Sequence, residues 1–561
     1  MKKVNTVLLV SLLAVLLIIS ACSSSETKTQ TKNNVPNNGN MEVKLADTSK
    51  TILDVADGET IKLTAEEITK TIAGKEIKMY AYNGLVPGVA LRVKQNSKIS
   101  VIFENKLDME TTVHWHGLRH DIKDDGVPDI SQKPVMPGES YKYELFFPDA
   151  GVFWYHPHIR EDLQQDLGLA GNMLVDPKFE NYYSPVNREE LLVLDDILLD
   201  QNGVVPFGEE YANYVLMGRF GNVMLLNGEE KYDLEINKRE VIRFYLTNVA
   251  NTRTFNFHID GAKLKLVGGD LGKFEREEFV DSVIIAPAER YIIEAYFDKS
   301  GKYEIKNINP QKEYLLGEIN VLDKTVSKDY SSEFNNLRNN KDVADDLKQF
   351  AQYFDKKPDY QIDLTMEFKN GMMQGMMGEG NNMMKEGEMM EGSMMDDDDM
   401  MGDDEEMMEE DSMMTDNEMM MGEEHGDEDI EWEDVMPMMN KRLTSKDLTW
   451  ILEDAKTKKQ NMDAGLQAKV GDVIKIRLFN DPDSPHPMQH PIHLHGQRFV
   501  VTHIDGVPVE NKAWLDTTLV PVGATVDILI DVTNPGEWMM HCHIAEHLEA
   551  GMMTSLTVKE A

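Results

Sequence analysis

The chain has 561 residues and carries 99 Asp and Glu against 57 Lys and Arg, a formal net charge of -42 at neutral pH. That length exceeds what one hydrophobic core supports, so about three domains are expected. The charge excludes nucleic acid as a partner, because phosphate would be repelled, and suits a protein that draws cations.

The N-terminus reads Met1-Lys2-Lys3, then an apolar run from Val7 to Ile19, then Ser20-Ala21-Cys22. A basic start, an apolar stretch and small residues before a cut make a secretory signal over residues 1–21. The run is short for a helix that spans a bilayer. Cysteine directly after Ser-Ala resembles a bacterial lipobox, which implies lipidation of Cys22. The expected product is an extracytoplasmic, membrane-anchored lipoprotein at the cell surface or in the periplasm. The Ser/Thr/Lys/Asn-rich residues 22–40 read as a flexible tether.

Residues 41–180 alternate apolar and polar side chains in short runs, such as 98–103 and 140–146, the latter introduced by Pro137-Gly138. This is the pattern of an all-β sandwich. Two histidine motifs fall here, His114-Trp115-His116-Gly117 and His156-Pro157-His158, with the turn Asp124-Asp125-Gly126-Val127-Pro128 between them. His120 lies outside both motifs and reads as a surface residue. A second β domain is expected over 185–325, with strands at 240–246 and 291–297. Its lone His258 reads as a strand residue, and the domain as a spacer.

Residues 326–359 are polar, with helix expected at 343–354, and read as an interdomain linker. A third β domain spans 360–561, with strands at 360–366, 448–452 and 472–478. It is interrupted at 371–440 by methionine pairs, such as Met372-Met373 and Met400-Met401, separated by Gly, Asp and Glu. Apolar residues punctuated in this way bury no core. Thioethers are soft donors for Cu(I) and carboxylates suit harder cations, so the segment reads either as a solvated acidic loop or as a labile copper-handling insertion.

The third domain also holds His490-Pro491-Ile492-His493-Leu494-His495-Gly496 and His541-Cys542-His543-Ile544-Ala545-Glu546-His547-Leu548-Glu549-Ala550-Gly551-Met552. The four motifs contain ten of the chain's 15 histidines. Two His, one Cys and a weak Met are the donors of copper electron-transfer sites. Neighbouring side chains on a strand face opposite ways. If Cys542 faces one metal, His541 and His543 face another, an arrangement for passing electrons between sites.

These four motifs, in this order, resemble those of the multicopper oxidases: laccases, cuprous oxidases and ferroxidases. The resemblance implies an all-β fold of three cupredoxin-like Greek-key sandwiches, with a Met-rich insertion like that of some bacterial copper-resistance oxidases. It implies four copper ions. The type 1 copper would take His490, Cys542 and His547 with Met552 axial. The type 2 copper would take His114 and His493. The type 3 pair would take His116, His156, His158, His495, His541 and His543. Asp125 and Glu546 match acids that deliver protons to the oxygen-reducing cluster, whereas Glu549 reads as a solvated or turn acid. Met488 stands where cuprous oxidases have a methionine that bridges substrate copper. His486 stands where they have an acid, and is either a substrate-copper ligand or a surface residue. With Cys22 lipidated and Cys542 on metal, no cysteine remains for a disulfide. The implied reaction joins oxidation of Cu(I), phenols or other small reductants to reduction of O2 to water, in copper tolerance. Oxidation of Fe(II) or Mn(II), or copper sequestration at the surface, are the alternatives; oligomeric state is left open.

Overall fold

The computed structural model describes residues 43–45, 52–369 and 430–561. The expected signal peptide, Cys22, the tether and residues 370–429 lie outside the described residues.

Strands dominate and form three pairs of facing sheets. In the first pair, one five-stranded sheet runs Val43–Leu45, Thr60–Ile72, Lys98–Asn105, Ser140–Phe146, with Lys75–Tyr82 added against Thr60–Ile72. Its partner runs Ile52–Asp54, Gly88–Lys94, Gly171–Asp176, Gly151–His156, His114–His116. Lys98–Asn105 buries every second residue, because the pleat turns alternate side chains inward. Val101, Phe103, Trp115, Tyr143 and Phe153 share the resulting core. The edge strand His114–His116 pairs antiparallel with Gly151–His156, setting His114 opposite His156.

The second pair, from Arg188–Ile197 to Glu313–Thr325, joins a six-stranded and a five-stranded sheet over Phe244, Phe257, Ile293 and Phe297. The third pair also joins six and five strands. In it, His490–Leu494 pairs antiparallel with Gly536–Cys542, placing His493 opposite His541 and Ile492 opposite Cys542. Cys542, Met552 and Met488 are fully buried in that core.

Helices Lys341–Lys348 and Ala351–Phe354 lie in the stretch expected as a linker. Val343, Leu347 and Phe350 seal onto a core that also includes Val500 and Trp514, so this connection is packed apolar structure. The strands Tyr360–Phe368 and Leu448–Asp454 pair antiparallel, from Ile362 opposite Asp454 to Phe368 opposite Leu448. The insertion is therefore a long excursion between neighbouring strands of one sheet.

Its C-terminal end departs from the sequence expectation. Residues 430–440 are packed: Trp432 is 1% exposed and Asn440 is fully buried. Trp432 supplies the large apolar surface that the methionine pairs before it lack, and Arg253 ties the segment down. The Arg253 guanidinium donates to the Trp432 carbonyl, both Glu433 oxygens, the Gly221 carbonyl and Asp196. That uses all five of its N–H groups.

Candidate metal centre

Strand pairing joins the histidine motifs two by two, and ring contacts such as His116–His493 and His156–His543 bring the two pairs together. Around Cys542, three donor atoms converge: Sγ lies 3.5 Å from His490 Nδ1 and 3.8 Å from His547 Nδ1, and the two nitrogens are 3.3 Å apart. His490 comes from a strand and His547 from the short helix Ala545–Glu549. Backbone bonds from Met552 N–H to the His547 carbonyl and from Cys542 N–H to the Met552 carbonyl close this loop and bring Met552 beside the group. The Ile544 amide points at Sγ. Trp450 stacks on His547 at 4.1 Å and meets the His490 ring edge-on at 4.9 Å, with its indole N–H held by the Val215 carbonyl. Burial pushes the Cys542 thiol pKa up and holds His490 down at about 3. A cation that takes the thiolate would reverse the first effect, and a neutral imidazole is the form that ligates.

Behind Cys542 lie eight buried imidazoles: His114, His116, His156, His158, His493, His495, His541 and His543. Hydrogen bonds assign their tautomers. Nδ1–H donates to a backbone carbonyl in His114 (Asp125), His156 (Pro157), His493 (Asp516) and His541 (Cys542), at 2.7–2.9 Å. In each, Nε2 is left with its lone pair. His116 is reversed: its Nε2 donates to Asp516 Oδ1 at 3.0 Å, so Nδ1 carries the lone pair. His495 donates Nδ1–H to Asp125 Oδ2, and its Nε2 stands 3.1 Å from His541 Nε2. Two lone pairs facing each other at that distance repel unless a cation lies between them.

The free nitrogens fit metal. Nε2 of His114, His156, His158 and His493 and Nδ1 of His116 are buried with no hydrogen-bond partner among the described residues. Native proteins rarely leave such groups unpaired. His158, His495 and His541 offer atoms within 4.8 Å of one another, as do His114, His493 and His495. Burial pushes the His114, His116, His156, His495, His541 and His543 pKa values well below the ordinary range, and His158 to about 4. Neutral imidazole clustered in this way is a soft-to-borderline metal site.

Acids brace the cluster. Despite burial, which opposes ionisation, neighbouring histidines led by His114 keep Asp125 below the usual carboxylate range. Glu546 is fully buried and accepts from Asn251 Nδ2 and Thr252 Oγ1 at 3.0 Å each. Burial, with Asp162 and Asp166 adding to it, raises its pKa to about 8.

Three expectations are corrected. His120 is 3% exposed and lies 3.6 Å from Asp125 Oδ1; the turn after it folds inward over the cluster. Glu549 is half-buried and accepts from the Glu161 amide; burial, aided by Asp162, raises its pKa to about 7. The second domain is no spacer. It supplies Asn251 and Thr252, and also Arg290, which clamps Asp516 through two bonds at 2.5–2.6 Å.

Asp516, Glu161 (3.1 Å from His158), Trp450 and Met217 went unread in the sequence. None belongs to a histidine motif, although Glu161 follows His158 by three residues. His486 meets Met217 rather than open solvent: its Nε2 is 2.9 Å from Met217 Sδ.

Multicopper oxidase family models match residues 64–180, 201–317 and 434–561. The chain is 24% identical over 501 residues to a multicopper oxidase of Staphylococcus aureus, covering 87% of this chain and 86% of that protein. It is 26% identical over 600 residues to copper resistance protein A of Escherichia coli, covering 90% and 93%. Among solved structures, a Campylobacter jejuni multicopper oxidase described as a metallo-oxidase superposes with a TM-score of 0.64 at 25% identity, covering 92% of this chain and 93% of that one.

Proposed function

This chain belongs to the multicopper oxidase family, and on that premise we propose that it oxidises Cu(I), and phenols or other small reductants, one electron at a time while reducing O2 to water. The observation that carries this reading is the position of Cys542. Its sulfur belongs to one donor group, and the residues on either side of it, His541 and His543, belong to the other.

We assign His490, Cys542, His547 and Met552 to a type 1 copper, and His114 and His493 to a type 2 copper. The type 3 pair takes His116, His156 and His543 on one side and His158, His495 and His541 on the other. Copper, when bound, supplies one-electron acceptance at Cys542 and multi-electron chemistry at the histidine cluster. The chain provides the rest. Trp450 stacked on His547 fixes the ring and excludes water. Cys542 and its neighbouring peptide bonds make the shortest covalent link between the two donor groups. Asn251 and Thr252 hold Glu546 at both oxygens, so its proton is presented from a fixed place. Asp125 orients His495 and His114 and lies against the same cluster.

Cu(I) is favoured among reductants by the sulfur and imidazole of Met217 and His486, soft donors on the electron-accepting side. The Trp450 indole neighbours both His486 and His490, at ring distances of 6.5 and 4.9 Å. Met217 and Met488 are both fully buried, and the thioether that meets His486 is that of Met217. Fe(II) and Mn(II) prefer harder oxygen donors, and a sequestering protein has no use for a second, enclosed histidine cluster. The lipid anchor at Cys22 would place the enzyme outside the cytoplasm, where copper arrives, in a role in copper tolerance. Oxygen uptake with Cu(I), Fe(II), Mn(II) and a phenol, measured on one copper-loaded preparation, tests the substrate. Cu(I) is expected to give the highest kcat/KM; a higher value for Fe(II) or Mn(II) would replace this reading with the metal-oxidase alternative.

A further inference from the structure

Asn440, the last residue of the packed end of the insertion, is fully buried and uses its whole hydrogen-bonding capacity. Its Oδ1 accepts from the Leu216 and Met217 amides at 3.2 and 3.0 Å. Its Nδ2 donates to the Gly218 carbonyl at 2.8 Å and to Asp434 Oδ2 at 2.9 Å. One side chain thus grips three consecutive residues of a second-domain turn. Trp450 holds the residue before them through the Val215 carbonyl. Thr252 packs closely against the same turn. Gly218 has φ +80, and a Cβ there would meet Thr252 Oγ1 at 2.1 Å.

Met217 is the residue of this turn whose sulfur faces His486. The same end of the insertion is joined to the residue beside His490: Gln489 and the Glu431 backbone exchange two hydrogen bonds at 2.9 Å. Arg253 anchors it between these points. The residues that frame the His486 edge are therefore fastened to the insertion and not only to the sandwich.

We propose that Asn440 is a positioning residue for the uptake of a soft cation: it sets the Met217 thioether against His486, and the two donors together seat Cu(I) beside His490. This rests on the reading of Cu(I) as substrate and specifies how the cation is held. The geometry makes the seat depend on an amide that meets the Met217 backbone but touches neither the sulfur nor the imidazole. Removing that amide loosens the turn at Met217; Trp450 still holds it at Val215, and the donors His490, Cys542 and His547 are carried on third-domain elements.

The test is a double-mutant cycle on the full-length, copper-loaded enzyme. Asn440→Ala should raise KM for Cu(I) by roughly fivefold to tenfold, the scale of losing one well-made polar contact. Blue absorption and the KM for a phenol should not move. Met217→Leu should raise KM for Cu(I) by a similar factor, and the double variant should be no worse than the poorer single one, since both changes act on one sulfur. Additive effects, or an unchanged KM in Asn440→Ala, would overturn the proposal. Silver(I), soft and inert to oxidation here, gives a readout without turnover. It should shift the blue band of the parent and shift it less in both variants; a parent band that ignores silver overturns the seat. If the parent fails to oxidise Cu(I) yet the silver shift is lost in Asn440→Ala, the substrate reading falls and the positioning role stands. Asn440→Ser, which keeps one acceptor for the amides, serves the same comparison if the alanine variant does not accumulate.

Discussion

Replacing residues 371–429 with a Gly/Ser chain of equal length should leave the enzyme folded, whereas extending the replacement through residue 440 should not. The second change removes Trp432, whose truncation from a buried site costs about 3–5 kcal/mol. It strips Arg253, fully buried, of the Glu433 and Trp432 acceptors, a loss of about 1–3 kcal/mol for each group left unpaired. It also leaves the Leu216 and Met217 amides without the Asn440 oxygen, at about the same cost each. Even with partial relaxation the loss is of the order of 8 kcal/mol, comparable with the 5–15 kcal/mol that holds a folded domain together. Thermal unfolding of both copper-loaded variants, with soluble yield, is the assay. The shorter replacement should melt within a few degrees of the parent. The longer one should melt roughly 15 °C or more lower, or fail to accumulate. Equal melting of the two would refute the view that residues 430–440 are structural.

Cys542→Ser should abolish the intense blue absorption and all oxidase activity in a protein whose unfolding remains cooperative; a variant that stays blue would displace Cys542 from the electron-accepting site. Glu546→Gln keeps the size of the side chain, can still accept from Asn251 while donating its own N–H to Thr252 Oγ1, and has no ionisable proton. Rapid mixing should therefore find reduction of the blue centre unchanged and its reoxidation by O2 slowed at least tenfold, and equal slowing of both would mean a structural role. Burial holds His490 near 3 and His158 near 4, below the unfolded value of about 6.5. Between those limits the unfolded chain binds protons on these histidines that the folded chain does not, so their contribution to the stability of the copper-free protein falls as pH drops from 7 to 4, while Glu546 and Glu549, raised to about 8 and 7, act in the opposite sense. His158→Gln should therefore lose less stability toward acid than the parent, and matching pH profiles of melting temperature would contradict this. Cys22→Ala should move the protein from the membrane fraction to the soluble fraction; wild-type protein found free and without lipid by mass spectrometry would end the lipoprotein reading.

The histidine clusters were legible because histidine is sparse in the chain and its motifs are grouped by strand geometry. His-x-His on an extended segment presents both rings to one side, and the structure sets His493 opposite His541 across a strand pair. Strand periodicity was legible for the same reason, and Lys98–Asn105 alternates in burial as its sequence does. What braces the ligands was not legible. Asp516 gains its role only when Arg290 and His116 arrive from other domains. Asn251 and Thr252 look like ordinary turn residues until Glu546 is folded onto them. His120 seemed a surface residue because nothing local predicts that its loop turns inward. At residues 430–440 the low-complexity composition of the preceding stretch masked Trp432 and Asn440, which behave as core.

On the proposed function, electrons taken up at Cys542 are delivered to O2 at the histidine cluster, and water is the sole product of its reduction. The most direct measurement is the stoichiometry of turnover: oxygen consumed and hydrogen peroxide formed per electron supplied, using a stabilised Cu(I) complex and a phenol with the same enzyme. One O2 should disappear for every four electrons from either donor, with no peroxide detected. Two electrons per O2 with matching peroxide would contradict the account.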